Sequence, residues 1–388
     1  MSRKLKVVLL HNTIAPYRHV LFEKLAQLCE LIVLFCSEKP RHRDWEIWPR
    51  SYKYNYKVLP GTSPLELNFN PSIIWEIMSL KPDVVVIADY SKPTMMLAFY
   101  ACRLMDIPVV YWTEGVEEPK DVLGKFVKPV RRSFNKNSDA IIAQGELTRN
   151  YLTSQNVPPS KIHIAHNCIE EKAFVEASDR YRAKKHILRK EHGIPLNHTV
   201  FLFVGALIER KGVKILVDIW KRIQDAEEEA YLIIYGRGPL KEFIDKEIAE
   251  QRLKKTLILD SGRSQENLIK VYSISDVFLF PTQFDLAPLV LNEAMACRLP
   301  LIVSEGAGNS HELVEAGVNG FILPRGDVEA FSEAIRNMVK DSTNLPGMGR
   351  VSRDILLKRC SSQKTSEDFM KAINAAYYGH HRNGLKLL

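Results

Sequence analysis

The first half of the chain alternates short apolar runs with amphipathic helical patterns. Uninterrupted apolar runs of this length are typical of strands that are buried on both faces of a parallel sheet. The predicted strands are 6–10, 31–36, 84–88, 109–112, 140–143 and 162–164. Helical patterns such as 73–80 and 94–105 lie between them. Strands that alternate with helices in this way predict βαβ units.

The second half repeats this alternation after a charged segment, 170–192, that contains no strand-like run and is therefore the predicted linker. Its predicted strands are 199–204, 231–235, 256–259, 277–280, 301–304 and 320–322. We therefore expect an α/β protein with two Rossmann-like, doubly wound parallel sheets, in domains 1–180 and 181–365. Ligands of such sheets bind beyond the carboxyl ends of the strands, so two sheets that face each other would place the chemistry in the cleft between them.

The composition is typical of a globular protein. The chain has 388 residues, of which 46% are hydrophobic and 26% charged, and this length suits two domains. No apolar run approaches the length of a membrane span, and the run 7–10 indicates a first strand rather than a secretory signal. The six cysteines are scattered without a CxxC pair. They favour a reducing compartment without a zinc site, and the sequence predicts a cytoplasmic protein.

The formal net charge is +8, and the basic residues concentrate in two clusters of the first half. One cluster, 39–57, interleaves them with Trp and Tyr, and the other covers 120–136. Basic residues mixed with aromatic residues suit an anionic membrane surface, and they also suit nucleic acid. A solvated basic surface is the third interpretation. Because no nucleic-acid motif accompanies the clusters, we expect no nucleic-acid partner, and peripheral contact with the inner face of the cell membrane remains a hypothesis.

The strongest chemical signal is a predicted strand, loop and helix that carry two acids with seven residues between them. Asp285 lies in the loop, and Pro288 suits the first helical position, where its missing N–H costs nothing. The N–H groups that follow, at Leu289 and Val290, lack intrahelical partners and can hold an anion such as a phosphate. Glu293 lies in the second turn among apolar residues, where an ionised carboxylate needs a partner such as a ribose hydroxyl.

This acid pair, followed by Ala-Met-Ala and Leu-Pro, resembles the donor-binding motif of the retaining family 4 (group 1) glycosyltransferases of GT-B fold, which act in polysaccharide biosynthesis. The next segment, 306–321, continues the family pattern. The resemblance implies sugar transfer with retention from a nucleotide-diphosphate-sugar, UDP- or GDP-linked, to a saccharide or lipid-linked saccharide. In that role Glu293 would hold the ribose, and Asp285 would hold or orient the donor sugar. Family members need no cofactor or essential metal, and their final helix, here 366–388, commonly crosses back onto the first domain.

The loop after the strand 199–204 resembles the family's phosphate-binding loop. Its first glycine, Gly205, lets the backbone turn tightly, and Lys211 keeps the family's position before the second glycine. Ala206 replaces the Arg that usually follows the first glycine, and Arg210 is the candidate for the missing charge. Lys211 and Arg210 are predicted at the start of the following helix, where they would stabilise the leaving nucleotide diphosphate.

The same resemblance singles out four further positions. Gly236 belongs to a glycine turn near the nucleotide, and Arg263 to a loop that in relatives lies against the base. In the first domain, Arg18 is a candidate for contact with a phosphate or with the acceptor. Glu114 replaces the His that many relatives carry near the donor sugar, so it would bond sugar hydroxyls or position the acceptor. An ordinary turn glycine and surface side chains remain alternative interpretations.

Two other functions share this fold. A GT-B sugar-nucleotide epimerase would bind the same donor and convert it with no acceptor present. A non-catalytic, degenerate relative would serve as a scaffold in an assembly complex. Ala206 and the missing His favour the scaffold, whereas Asp285, Lys211 and Glu293 argue against it. The donor sugar, acceptor and linkage do not follow from a fold-level analogy.

Overall fold

The computed structural model describes residues 3–38, 52–62, 68–116, 124–224, 229–260 and 264–384. The chain forms two compact units, one of Met1–Cys168 with Ser362–Leu388 and the other of Ile169–Ser361. The division after Cys168 precedes the boundary at 180 that was expected from the sequence. The reason is that Ile169 and Phe174 are buried in the core of the second unit.

The first unit contains a parallel sheet of seven strands among the described residues. The strands are β1 (Lys6–Thr13), β2 (Glu30–Ser37), β3 (Asn55–Val58), β4 (Val84–Ala88), β5 (Val109–Thr113), β6 (Ala140–Ala143) and β7 (Ile162–Ile164). The helices are α1 (His19–Leu28), α2 (Ile73–Leu80), α3 (Pro93–Leu104), α4 (Gly124–Asn137), α5 (Glu146–Ser154) and α15 (Ser362–Gly384). The strand order is β3-β2-β1-β4-β5-β6-β7, so the chain reverses direction across the sheet between β1 and β4.

The burial of β1 explains its uninterrupted apolar run. Val7 and Leu9 pack into a core that includes α1 and α15, whereas Val8 and Leu10 pack into a second core that includes α2 and α3. Successive side chains of a strand point to opposite faces, so a strand that is covered on both sides needs apolar residues at every position. The same physical reason accounts for the predicted bounds of β4 and β6, which are buried at every position. The predicted bounds of β7 also agree with the structure, although only its first residue is buried.

The edge strand β3 was missed by the sequence analysis. It pairs in parallel with β2, with Tyr56 opposite Val33. Asn55, Tyr56 and Lys57 are exposed, so the segment carries no apolar run that could predict a strand. Backbone pairing with an existing sheet edge forms this strand, and its own side-chain pattern does not reveal it.

The second unit contains a parallel sheet of six described strands. They are β8 (Thr199–Val204), β9 (Ala230–Tyr235), β10 (Thr256–Leu259), β11 (Val277–Phe280), β12 (Leu301–Ser304) and β13 (Gly320–Leu323). The helices are α6 (Glu171–Arg182), α7 (Lys185–Glu191), α8 (Val213–Ile223), α9 (Lys241–Ala249), α10 (Gln265–Ile274), α11 (Leu289–Ala296), α12 (Ser310–Leu313), α13 (Val328–Lys340) and α14 (Leu345–Cys360). The order β10-β9-β8-β11-β12-β13 reverses between β8 and β11.

The last helix, α15, belongs to the first unit although it follows the second in sequence. Phe369, Ala372 and Ile373 are buried in the core that β1 and α1 also form. The ring of Phe369 meets that of Trp112 edge-on, with centroids 4.9 Å apart. Within the described part of the chain, no helix is both long and apolar enough to cross a bilayer.

Candidate functional site

The candidate site of the second unit lies at the carboxyl edge of its sheet, around the reversal between β8 and β11. Backbone hydrogen bonds join neighbouring loops there. Leu207 N donates to Arg237 O over 2.8 Å, which ties the loop after β8 to the loop after β9. Gln283 N donates to Arg210 O over 2.9 Å, which ties the first of these loops to the loop after β11. A crevice at such a reversal point is the usual ligand site of an open α/β sheet.

Two glycines are required by the close packing of these loops. A Cβ atom on Gly236 would lie 2.1 Å from Gly205 O, so the two turns can touch only without a side chain at Gly236. Gly212 has a φ of +76°, and its Cβ would lie 1.9 Å from Pro281 O. Both contacts involve backbone atoms that cannot move aside, and the left-handed φ of Gly212 favours glycine in any case. Loop packing therefore explains Gly236 and Gly212 whether or not a ligand is bound.

Arg210 and Lys211 lie on the short 3₁₀ turn Glu209–Lys211, which precedes α8. They were predicted at the start of that helix, and this was wrong, because Gly212 in its left-handed conformation separates the turn from the helix. Arg210 Nη1 donates to Phe284 O over 2.6 Å. The Arg210 side chain therefore holds the loop after β11, and its Nη1 atom already donates to that loop instead of to a phosphate.

Lys211 and Asp285, which are 74 positions apart, form an ion pair. Both side chains are largely buried, and the Lys211 ammonium lies 5.5 Å from the centroid of the Phe280 ring. The backbone of Asp285 is held in turn by the loop after β12, because its N–H donates to Gly306 O over 2.8 Å. The structure thus brings together two residues that the sequence analysis had assigned separate roles.

Helix α11 begins at Leu289, and Pro288 is its N-cap with φ −65° and ψ 116°. Pro288 had been predicted at the first helical position, which is incorrect by one residue because its ψ is extended. The N–H groups of Leu289 and Val290 still belong to the first turn, where a helix offers no acceptors of its own. The helix start therefore keeps the capacity to bind an anion that the sequence indicates.

Glu293 lies in the second turn of α11 and faces Tyr272 of α10. The Tyr272 hydroxyl donates to Glu293 Oε2 over 2.9 Å. Burial raises the pKa of Glu293 from its usual 4.5 to about 7, and the hydrogen bond from Tyr272 opposes this rise. Burial, together with the neighbouring Glu293, raises the pKa of Tyr272 well above its usual range, so its hydroxyl remains a donor. A further hydrogen-bond donor to the Glu293 carboxyl group would therefore lower its pKa and favour its ionised form.

Tyr272 was not singled out from the sequence. Its position on the buried face of α10 indicates a core residue, and Tyr272 is fully buried. A signal was nevertheless present, since a buried tyrosine hydroxyl needs a hydrogen-bond partner. Only the packing of α10 against α11 identifies that partner as Glu293.

In the first unit, Arg18 and Glu114 lie together beyond the ends of β1 and β5. Arg18 ends the 3₁₀ turn Pro16–Arg18, and its Nη2 atom lies 3.0 Å from Glu114 Oε1. Asn167, which the sequence analysis did not assign to the site, accepts a hydrogen bond from Arg18 Nη1 over 2.5 Å. The two candidates of the first unit therefore form one cluster.

Some predicted positions lie outside the described residues. Arg263 is one of them, and so are all the basic and aromatic residues in 39–51 and 117–123. The second basic cluster is described in part on α4, where Lys128, Arg132 and Lys136 are exposed. These three residues are spaced four apart and form one basic stripe on the helix.

The chain folds into two doubly wound parallel sheets. Around the reversal point of the second sheet lie a lysine, a helix start and a buried acid. These features define a protein of the GT-B class. The family model described as glycosyl transferases group 1 matches residues 184–352, and the model of glycosyltransferase family 4 matches residues 17–172. The chain belongs to the group 1, or family 4, glycosyltransferases. The fold and family that the sequence predicted are thereby confirmed.

Among its relatives, the sulfoquinovosyl transferase SQD2 of Arabidopsis thaliana is 25% identical over 302 residues, which cover 75% of this chain and 56% of the relative. The UDP-Gal:alpha-D-GlcNAc-diphosphoundecaprenol alpha-1,3-galactosyltransferase of Escherichia coli is 27% identical over 265 residues, 66% of each chain. The matches thus span between half and two thirds of these relatives.

Similar solved structures support the fold. HepE of Anabaena, in complex with UDP and glucose, superposes with a TM-score of 0.71 at 14% identity, covering 95% of this chain and 99% of the other. WaaG, a glycosyltransferase involved in lipopolysaccharide biosynthesis, gives a TM-score of 0.65 at 15% identity, covering 93% and 97%. At these identities the likeness concerns the fold alone.

Proposed function

We propose that this chain is a retaining glycosyltransferase that moves a sugar from a nucleotide-diphosphate-sugar to a saccharide or lipid-linked saccharide acceptor, in surface polysaccharide or lipopolysaccharide synthesis. UDP- and GDP-sugars are the expected donors. The observation that carries the proposal is the joint placement of the Lys211–Asp285 pair and of Glu293 around the reversal point of the second sheet. The names of the Escherichia coli relative and of HepE with UDP and glucose support the same class of donor.

The proposed chemistry gives each of these groups a role in binding the donor or in stabilising charge. As the bond between sugar and diphosphate breaks, negative charge grows on the departing diphosphate. The Lys211 ammonium and the N–H groups of Leu289 and Val290 would stabilise that charge, and fixed donors of this kind are a large part of catalysis. Glu293 would accept hydrogen bonds from the ribose hydroxyls, and Asp285 would orient the donor sugar beside Lys211.

The proposal predicts that one class of nucleotide raises the melting temperature. We would measure thermal unfolding with UDP, GDP, ADP and CMP and their sugars, because a ligand that binds only the folded state must stabilise it. A shift of several degrees is expected for a single base and is expected to disappear in Glu293→Ala. The matched control is Glu333→Ala, which removes an exposed carboxylate from α13. A folded protein that no nucleotide stabilises would contradict the proposal and favour the scaffold.

Product analysis separates transfer from the epimerase alternative. An epimerase would convert the stabilising nucleotide sugar without an acceptor, whereas a transferase would leave it intact or release its nucleotide diphosphate slowly to water.

We further propose a cytoplasmic protein that contacts an anionic membrane through the first unit. Helices α2, α3 and α4 cover the same face of the first sheet. On that side Trp75 of α2 and Leu104 of α3 are 73% and 89% exposed, and α4 carries the basic stripe. Exposed apolar residues beside basic ones suit the headgroup region of an anionic bilayer.

Charge reversal on α4 is expected to weaken binding to anionic vesicles. The triple variant Lys128→Glu, Arg132→Glu, Lys136→Glu should bind phosphatidylglycerol vesicles at least about tenfold more weakly in a co-sedimentation assay, since each basic residue contributes about 1 kcal/mol near such a surface. The control reverses three exposed lysines of the second unit and should keep its binding: Lys190, Lys340 and Lys358. Equal loss in both variants, or no binding by the unmodified protein, would count against the proposed contact.

A further inference from the structure

Arg18 is the one buried arginine or lysine among the described residues of the first unit, with 6% of its surface exposed. Its Nη1 atom donates to Asn167 Oδ1 over 2.5 Å, and its guanidinium lies 4.5 Å from the centroid of the Trp112 ring. Asn167 and Trp112 are both neutral, so they fix the orientation of the guanidinium without balancing its charge. A buried charge of this kind needs an anion.

Glu114 is the carboxylate that balances Arg18 in this structure. It contacts Nη2 through Oε1 alone, over 3.0 Å, and its side chain is 46% exposed. The neighbouring Nε atom of Arg18 is buried and has no hydrogen-bond partner among the described residues. The Nε–Nη2 edge of a guanidinium fits two oxygens of one oxyanion, and Glu114 fills half of it.

Two fully paired arginines of the second unit, Arg189 and Arg353, provide a comparison for Arg18. Arg189 donates from Nε to Ile274 O, from Nη1 to His198 O and from Nη2 to Asp276. Arg353 donates from Nε to a backbone carbonyl and holds both oxygens of one carboxylate with its Nη atoms. Each uses all three nitrogens, whereas Arg18 leaves Nε unused.

We propose that Arg18 binds a phosphate oxyanion through its Nε–Nη2 edge, and that Glu114 is a displaceable counter-ion that occupies this place until the phosphate arrives. Glu114 can leave at low cost because its carboxylate is half exposed and returns to water. Asn167 and Trp112 are the positioning residues that hold the guanidinium ready. The inference rests on the proposed function, which supplies phosphates from two sources, the donor's diphosphate and a phosphate group on the acceptor.

Inorganic pyrophosphate is the probe, titrated into the full-length protein by calorimetry. Lys211→Ala serves as the background in which the second unit has lost its own cation. Relative to that background, Glu114→Gln is expected to bind pyrophosphate about two- to fivefold more tightly, as the loss of a partly exposed competing ion pair implies. Arg18→Lys keeps the charge but loses the two-pronged edge, and it should bind at least about tenfold more weakly.

The exposed pair of Arg149 and Glu146, also in the first unit, provides matched controls. Arg149→Lys and Glu146→Gln are expected to leave pyrophosphate binding unchanged. The proposal is overturned if Glu114→Gln binds no more tightly than its background, or if Arg18→Lys binds equally well. Because Glu114→Gln is tested by a gain of affinity, a misfolded variant cannot imitate the expected result.

Competition then assigns the source of the phosphate. The protein with native Lys211 is first saturated with the nucleoside diphosphate that stabilises it. If pyrophosphate still binds and its binding still depends on Arg18, the phosphate that Arg18 binds is the acceptor's. If this binding disappears, the phosphate belongs to the donor's diphosphate. If the proposed function itself is wrong, a different result is expected: no nucleotide will raise the melting temperature in a way that depends on Glu293.

Discussion

Replacement of Lys211 by alanine is expected to lower the turnover number about 100- to 1,000-fold, the usual effect of removing one group that stabilises transition-state charge. Lys211 is the cation that the structure places beside Asp285 at the reversal point of the second sheet. Because the diphosphate gains charge only as its bond to the sugar breaks, the turnover number should fall more than the apparent affinity for the donor. Release of nucleoside diphosphate from the donor identified by thermal unfolding measures both.

The control for this experiment is Lys214→Ala. Lys214 lies on α8 and pairs with Glu209, and both side chains are more than half exposed. Its removal should leave the turnover number within about twofold, because exposed ion pairs contribute little. The loss of Lys211 leaves Asp285 without its partner, so a decrease of about 1–3 kcal/mol in the free energy of unfolding is also expected. A Lys211→Ala enzyme with near-normal turnover would contradict the role assigned to this residue.

The second large effect concerns the pH dependence of nucleotide binding. Burial raises the pKa of Glu293 to about 7, whereas ribose hydroxyls that donate to the carboxylate favour its ionised form and lower that pKa again. Binding therefore releases a proton, and affinity should increase as the pH rises. Between pH 6 and pH 8 the gain is expected to be about tenfold, because the free carboxyl group ionises across that interval.

Glu293→Gln is the matched variant, because it keeps the size of the side chain and cannot ionise. The ratio of wild-type to variant affinity removes the contribution of phosphate ionisation, which both proteins share. Isothermal titration at several pH values measures this ratio, and the same ratio at pH 6 and pH 8 would rule out the ribose contact.

Stability in the absence of nucleotide should show the opposite trend. A carboxyl group with a raised pKa contributes its stabilisation fully below its unfolded value near 4.5 and loses it as the pH rises through about 7. Relative to Glu293→Gln, the wild-type protein should therefore lose roughly 2–3 kcal/mol of unfolding free energy between pH 5 and pH 8. Denaturant titration at the two pH values provides the measurement. This trend supplies a second check that does not depend on the choice of nucleotide.

Much of the fold could be predicted because most strands are buried on both faces. Strand β4 consists of consecutive apolar residues, as does β8 after its first residue, and the predicted bounds of both agree with the structure. The same rule failed for β3, whose exposed residues follow no apolar pattern. It also left the segment 170–192 as a linker, although α6 and α7 form there. Residues of these helices such as Phe174 are buried in the core of the second unit. The many charged residues on their exposed faces hide this apolar pattern in the sequence.

The candidate site could be predicted only as a set of separate residues. The helix start at Leu289 and the acid at Glu293 follow from local rules, because helix ends and buried carboxylates have the same needs in any protein. The prediction of Arg210 at a helix start was wrong, since the left-handed Gly212 separates its turn from α8. The close approach of Pro281 O to Gly212 joins residues that are distant in sequence, and local rules do not reveal it. The roles assigned to these residues remain predictions until the variants are measured.

The sequence by itself determined the two parallel α/β units, the family and the loops that carry charged groups. These properties depend on residue type and short spacing, which the chain displays directly. Only the tertiary structure decided that Lys211 meets Asp285, that Tyr272 holds Glu293 and that Arg18 is fixed by Asn167. Each of these contacts joins residues that are distant in sequence, and the partner of a buried polar group is chosen by how the strands order and the helices pack.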